Sequence, residues 1–150
     1  MILARYAWLV MLAGVLVNVP ILWRRARPHI AAHPELAAGY RGLIRGFAFW
    51  MSLPWLAMGV GCTIGGVPTF VEFIRPAAGR PFVWAFWAVV YAEFLLLGWW
   101  AVWRGGAEAL VRHPGMIDFR TGSARTMRWF LASLSVFAVA WNTGLLVWLA

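Results

Sequence analysis

Four long apolar stretches constrain this sequence more than any other feature. They cover residues 6–23, 47–73, 82–103 and 129–150. A helix needs about 20 mostly apolar residues to cross the hydrocarbon core of a bilayer, and each stretch meets or approaches that length. The segments between them are too short to form a separate soluble domain. We therefore predict an all-α membrane protein with four transmembrane helices.

The composition excludes several other classes of protein. Hydrophobic residues make up 63% of the 150 residues and charged residues 12%. An average soluble domain is about half apolar and a quarter charged. This chain therefore has too few charges for a soluble enzyme or a disordered tail, and Cys62, its only cysteine, excludes an intrachain disulfide. The first stretch lacks a small-x-small cleavage site at its end, so we interpret it as a membrane span and not as a signal peptide.

All thirteen basic residues are arginine, and their positions predict the orientation of the helices. Ten occupy two segments: Arg24, Arg25, Arg27, Arg41, Arg45, Arg104, Arg112, Arg120, Arg125 and Arg128. Because positive residues in short loops stay cytoplasmic, both termini are predicted outside. The topology explains most of the net charge of +8, so we expect anionic lipid head groups as partners and no nucleic acid. The arginine usage and short loops are typical of a prokaryotic inner membrane.

The two halves of the chain align when one is shifted by 80 residues. His33-Pro34 then falls on His113-Pro114, and Arg45 falls on Arg125. We predict two tandem parallel helix-loop-helix repeats, residues 1–73 and 82–150, joined by an extracytoplasmic linker at 74–81. Short interfacial helices are predicted in the cytoplasmic loops, one of them over residues 35–46. Parallel repeats occur in transporters, but a duplicated hairpin that simply packs as a four-helix bundle would show the same repeat without such a function.

The three histidines raise the question of haem or metal binding. His33 and His113 would form the ligand pair across the pseudo-symmetry axis. Both precede a proline, which disfavours the α conformation, so His29 and His33 are not expected to share one helical face. The His-Pro motifs also lie at the predicted membrane edge, whereas cofactors of helix bundles usually bind in the core. We therefore predict no cofactor and no metal.

Glu93 is the most informative residue of the spans. It is expected near the middle of the third span, about 16 Å from Phe82 at a rise of about 1.5 Å per residue. A carboxyl at that depth costs several kcal/mol unless it is paired, protonated or hydrated. The polar groups predicted near its depth are Cys62, Thr63, Asn142 and Thr143. Glu93 is either a proton- or cation-handling group or a protonated structural carboxyl.

The second span contains an unusual run of glycines. Small residues recur at every fourth position: Ala57, Gly61, Gly65 and Thr69. A second stripe ends near an acidic residue: Gly59, Cys62, Gly66, Thr69 and Glu72. Rows of small residues allow close packing of helices in lipid, whereas a pore-lining helix combines small residues at a constriction with an acidic ring at the mouth. The sequence of this span fits both interpretations, close packing of helices and pore lining.

Catalysis finds no support, because the chain has no nucleophile-base pair, no lysine-containing phosphate loop and no metal-ligand cluster. We do not predict an enzyme. The favoured function is a homo-oligomeric channel or transporter for protons or cations, with an ion pathway formed by Glu93, Glu72, Cys62, Thr63, Asn142 and Thr143. The alternative is a non-catalytic accessory or scaffold subunit of a larger membrane complex.

Overall fold

The structure is a computed structural model that describes residues 5–74, 80–117 and 122–149. Helices account for all its regular structure, and no strand occurs within these ranges. The elements are α1 (Ala7–Ala32), a 3-10 turn (Pro34–Leu36), α2 (Ala37–Thr63), α3 (Val71–Ile74), α4 (Pro81–Trp103), α5 (Gly106–Arg112) and α6 (Ala124–Leu149).

Four of the described helices are long and apolar enough to cross a membrane, namely α1, α2 with its preceding turn, α4 and α6. Their lengths of 23 to 30 residues exceed the roughly 20 residues that span a bilayer core. Large apolar side chains such as Val136 (70% exposed) and Trp148 (80% exposed) cover their outer surfaces. Such an apolar surface is stable in contact with lipid and not with water, so these helices indicate an integral membrane protein.

The long helices pack as two hairpins. α1 packs against α2 and α4 packs against α6, while α2 packs against α4 and joins the hairpins. The basic-end cluster lies at the arginine-rich helix ends and comprises Leu22, Ala26, Tyr40, Ile44, Ala101, Ala107, Leu110, Met116, Met127 and Leu131. The far-end cluster comprises Met58, Cys62, Val67, Phe73, Val83, Phe86 and Trp87. Glu93 lies on α4, in the part of the helix between these two clusters.

The second span ends earlier than predicted. α2 stops at Thr63, ten residues short of the predicted boundary at 73. Gly66 has a positive φ of +66°, a left-handed conformation that commonly terminates helices, and Pro68 cannot continue the helical hydrogen bonds. Gly66 and Thr69 therefore lie in a connection, and Glu72 lies on α3, so the predicted second stripe is not one continuous helical face.

The loops at the basic end also differ from the prediction. No separate interfacial helix forms over residues 35–46, because α2 is continuous from Ala37 through this stretch into the span. The short helix of the second half, α5, begins after Gly105, whose φ is +74°. Glycine adopts this left-handed conformation without steric cost, which allows the chain to break after Trp103 and start a new helix.

The two His-Pro motifs have similar backbone conformations. His33 ends α1 with φ −137° and ψ 77°, and His113 ends α5 with φ −119° and ψ 75°. The residue before a proline is restricted to such extended conformations. The motifs thus terminate helices in the same way. The preceding segments differ, since α1 is uninterrupted whereas the corresponding segment of the second half is divided at Gly105.

Candidate functional site

Glu93 lies on the face of α4 that packs against the second span. The side chain of Phe82 marks this face, because a Cβ added at Gly61 or Gly65 would lie 3.4 Å or 2.5 Å from it. Glu93 follows eleven residues later, which is about three helical turns, so it projects from the same side. Its side chain is half-buried, and Oε1 is buried without a hydrogen-bond partner among the described residues.

The predicted partners on the fourth span lie on the opposite side of α4. The hydroxyls of Tyr91 and Thr143 are 2.9 Å apart, which fixes the α4 face that meets α6. Tyr91 is two residues from Glu93, and side chains at that spacing do not share a face. Asn142 donates from Nδ2 to its own helix, at the carbonyl of Ala138 (2.7 Å). Thr143 thus lies level with Tyr91, two residues from Glu93, but depth alone does not select the face of α4.

The predicted partners on the second span lie at the wrong depth. Cys62 is buried in the far-end cluster, and its carbonyl accepts from Arg5 Nη2 at 3.3 Å. Thr63 donates to the carbonyl of Gly59 at 2.7 Å. This end of α2 packs against Phe82, which is about 16 Å of helix from Glu93. Because α2 ends at Thr63, its centre lies closer to the basic end than the centre of a span ending at residue 73 would.

The segment of α2 that the helix register places level with Glu93 contains a proline. Counting eleven residues inward from Gly61 and Gly65 along the antiparallel helix leads to residues 50–54. Pro54 is buried and lies two turns from Gly61, hence on the face toward α4. Proline has no backbone N–H, so the helical hydrogen bond to the carbonyl of Trp50 is missing. The proline is visible in the sequence, but its proximity to Glu93 depends on the helix register.

Aromatic rings of the same chain fill the space beside Gly59, Gly61 and Gly65, which form the glycine row of α2. A Cβ added at Gly59 would lie 2.8 Å from the ring of Trp8, and one at Gly61 would lie 2.7 Å from the ring of Phe73. Ala57 is half-buried beside these glycines, against the far-end cluster. Within one chain, these positions are packing surfaces and do not line an open pathway.

Glu72 lies at the far end and belongs to an ion pair. Its Oε2 is 3.3 Å from Nη1 of Arg80, just before α4. Trp87 donates to the carbonyl of Phe73 at 2.8 Å, which fixes α3 against α4. The charge of Glu72 is therefore balanced locally, and its position supports a role in joining the two hairpins.

The motif histidines have different environments. His113 is buried, and its Nδ1 lies 2.6 Å from the carbonyl of Ala109. Its ring lies edge-on to the ring of Tyr40, with the two ring centroids 4.8 Å apart. The Tyr40 hydroxyl donates to the carbonyl of Pro114 at 2.9 Å. The second His-Pro turn is thus held against the start of α2.

His33 is exposed, in contrast, and its Nδ1 lies 3.2 Å from Oε1 of Glu35. The structure does not give His33 and His113 equivalent surroundings, as a symmetric ligand pair would require. Within the described ranges, no group of three or more His, Cys, Asp or Glu side chains is placed to hold a metal ion.

The basic end combines exposed arginines with an arginine–glutamate ion pair. Arg45 and Arg125, equivalent in the predicted repeat, are both exposed, as are Arg24, Arg27, Arg41, Arg104 and Arg112. Arg128 Nη2 on α6 donates to Glu108 Oε1 on α5. A hydrogen bond from its own backbone N–H, followed by Arg128, lowers the pKa of Glu108.

Glu108→Gln should lower thermal stability near pH 7, and the deficit should shrink on acidification. A lowered pKa means that the ionised carboxylate stabilises the fold; this contribution is complete above the ordinary glutamate pKa of about 4.3 and disappears as pH falls through the folded value. Melting temperatures in detergent between neutral and acidic pH would test this. Glu35→Gln, at an exposed ion pair, is the control with little expected change. A deficit that is independent of pH would contradict the prediction.

The fold and its half-buried carboxyl define the class of this chain, an all-helical polytopic membrane protein. Comparison with protein-family models, with curated proteins and with solved structures finds no match. The geometry around Glu93 is therefore the main indication of what the protein does.

Proposed function

We propose that this protein is a homo-oligomeric channel or transporter of the prokaryotic inner membrane that moves protons or cations, with Glu93 as the ion-handling group. The observation that supports this is the buried, unpartnered Oε1 of Glu93 on a membrane-spanning helix. Ionisable groups at such positions are energetically costly and mark ion pathways or proton relays in membrane proteins. A purely structural carboxyl would be expected to have a hydrogen-bond partner.

A homo-oligomer is part of the proposal because one chain offers little room for a pathway. The clusters at both ends are packed with side chains, and the glycine row is covered by aromatic rings. The cytoplasmic side is the basic end, where exposed arginines bind anionic lipid head groups. Contacts between copies would complete the pathway around Glu93.

The test is a flux assay in proteoliposomes that contain the purified protein. Proton and alkali-cation fluxes would be measured under imposed gradients, with the membrane potential clamped. We expect flux from the wild type and the rate of empty vesicles from Glu93→Gln, because the amide cannot exchange a proton or balance a cation. Glu35→Gln should retain the flux, because Glu35 is exposed at the basic end. Glu72→Gln should also retain it, because Arg80 balances the charge of Glu72, which departs from the sequence-based expectation that Glu72 lies in the pathway. Equal flux from wild type and folded Glu93→Gln would exclude the proposal.

One observation favours an accessory subunit as a second candidate. Phe137 and Trp141 stack with their ring centroids 6.1 Å apart on the lipid-facing side of α6. With Gly144 and Trp148 they border an apolar groove of about 440 Å³. Such a surface suits a neighbouring membrane helix. A folded protein without flux, whose co-purifying membrane subunit is lost in Trp141→Ala, would support this function instead.

A further inference from the structure

The proline of α2 places a hydrogen-bond acceptor inside the membrane. Without an N–H at Pro54, the carbonyl of Trp50 has no helical partner four residues later. Helical carbonyls are directed toward the C-terminus of the helix, so this oxygen lies beneath Pro54 on the face that packs against α4. A carbonyl without a donor is costly in the membrane interior, where water does not replace the missing partner, and a neighbouring group that donates a hydrogen bond would relieve that cost.

Glu93 reaches the same level from the opposite helix. Its backbone lies level with residues 50–54 of α2, by the register that Phe82 sets. Side chains on a helix lean toward its N-terminus, so the carboxyl of Glu93 extends over the preceding turn of α4. Because α2 and α4 run antiparallel, this lean moves the carboxyl toward Pro54. The register therefore places Glu93 Oε1, which has no hydrogen-bond partner among the described residues, at about the depth of the Trp50 carbonyl, which has no N–H four residues later.

The number of oxygens at this level selects the species that binds. Hard metal cations need many oxygen ligands. Ca²⁺ takes about six to eight, and Mg²⁺ takes about six, several of which are usually water molecules. Glu93 and Trp50 provide three oxygens, and the nearby hydroxyl of Ser52 lies on the opposite face of α2, where it donates to the carbonyl of Ala48 at 2.6 Å. A proton needs only one donor oxygen and one acceptor oxygen. The site therefore suits a proton and does not suit a bare metal ion.

We propose that Glu93 and the Trp50 carbonyl form a loading site for a single proton. In the loaded state, the Glu93 O–H donates to the Trp50 carbonyl, directly or through one water molecule. On release, the O–H bond breaks, its electron pair stays on the carboxylate, and the proton passes to a water molecule. This assignment rests on the proposed function, because it names the proton as the species that Glu93 handles, but the hydrogen bond itself can be tested without transport.

Other titratable groups on the packed elements are remote from this pair. Tyr91 lies on the α4 face toward α6 and is bonded to Thr143, and Cys62 lies in the far-end cluster. Charged side chains near α2 and α4 occur at the two ends of the bundle: Arg5, Glu72 and Arg80 at the far end, and Arg41, Arg45, Arg104, Glu108 and Arg128 at the basic end. A carboxylic acid signal that depends on residue 93 would thus report this site.

The experiment is infrared spectroscopy of the reconstituted protein with the variants Glu93→Gln, Pro54→Ala and Pro20→Ala. Alanine at 54 restores an N–H for the Trp50 carbonyl and leaves Glu93 in place. We expect a protonated-carboxyl C=O band that is lost in Glu93→Gln and moves to higher frequency in Pro54→Ala, where the acid loses its acceptor. Pro20→Ala makes the same change in α1 at an exposed position and should leave the band unchanged.

Three results would overturn the assignment: no carboxylic acid band that depends on Glu93, the same band in Pro54→Ala as in the wild type, or equal shifts in both proline variants. Loss of the band when sodium replaces potassium would also overturn it, because a metal ion would then occupy the site. The expected band shift in a protein without flux would retain the hydrogen-bonded site and exclude transport. Glu93-dependent flux without the band shift would support transport and exclude the hydrogen-bonded site.

Discussion

Gly39→Ala should destabilise the protein by about 2 kcal/mol, the middle of the range for inserting a methyl group into a well-packed site. A Cβ added at Gly39 would lie 2.0 Å from Nε2 and 2.6 Å from Cε1 of His113. Atoms cannot approach so closely, so the imidazole or the start of α2 must move. This contact is the tightest of any glycine in the described part of the chain.

The His113 ring cannot move aside without breaking other contacts. It is buried, its Nδ1 bonds the carbonyl of Ala109, and its edge contacts Tyr40. Tyr40 in turn is fully buried and donates to the carbonyl of Pro114. A shift of the ring would therefore disturb the packing between α2 and the turn that follows α5. The cost of the substitution is spread over these linked contacts.

Gly42→Ala is the matched control on the same helix. No described atom lies within 4 Å of a Cβ added there, and alanine is favoured over glycine in helices by roughly 0.5–1 kcal/mol. Unfolding curves in mixed micelles would compare the two variants with the wild type. We expect a lower free energy of unfolding for Gly39→Ala and an equal or higher one for Gly42→Ala. Equal effects of both substitutions would show that the His113 contact does not stabilise the fold.

The spans could be predicted from hydropathy because the bilayer fixes a minimum length of apolar helix. The ends of the helices could not be predicted equally well. α1 continues past its apolar run through the arginines to Ala32, and α2 stops at Thr63 within an apolar run. Polar residues can extend a helix into water, whereas the left-handed Gly66 and Pro68 end one inside an apolar stretch.

Glu93 was identified from the sequence, but its surroundings were not. The cost of a charge in lipid makes an acidic residue in a span conspicuous. Its neighbours depend on which face of α4 meets α2, and on the register set by Phe82 against Gly61 and Gly65. Those contacts join residues about twenty positions apart in sequence and become visible only when both helices are placed.

The predicted repeat illustrates a similar limit. Both His-Pro motifs end helices with similar backbone angles, which the proline itself dictates. The side-chain environments depend on what packs nearby, so His113 is buried under α2 while His33 is paired with Glu35 and exposed. Local chemistry therefore predicted the backbone at both motifs, and the tertiary contacts distinguished the two histidines.

Gly65→Ala should also destabilise the protein by about 2 kcal/mol, because the added methyl group would overlap the Phe82 ring and the Gly61 carbonyl oxygen. A Cβ at this position would lie 2.5 Å from the ring of Phe82 and 2.9 Å from the carbonyl oxygen of Gly61. The half-buried ring of Phe82 borders a cavity of about 260 Å³ together with Gly65, but the Gly61 carbonyl is backbone and accepts from the Val67 N–H at 3.0 Å. Gly144→Ala, with no described atom within 4 Å of the added Cβ, is the control.

Measuring stability and flux together on Gly65→Ala separates the two interpretations of the glycine row. If these glycines serve packing, the free energy of unfolding falls, and proteoliposomes at a temperature where the variant is folded retain Glu93-dependent flux. If the glycines line a pathway, flux falls while the unfolding transition stays at the wild-type position. The geometry favours the first outcome, because Trp8, Phe73 and Phe82 already occupy the space beside Gly59, Gly61 and Gly65. The second outcome would require an oligomer in which Trp8, Phe73 and Phe82 no longer contact these glycines. The pathway would then lie at the far end of α2 and not beside Glu93 on α4.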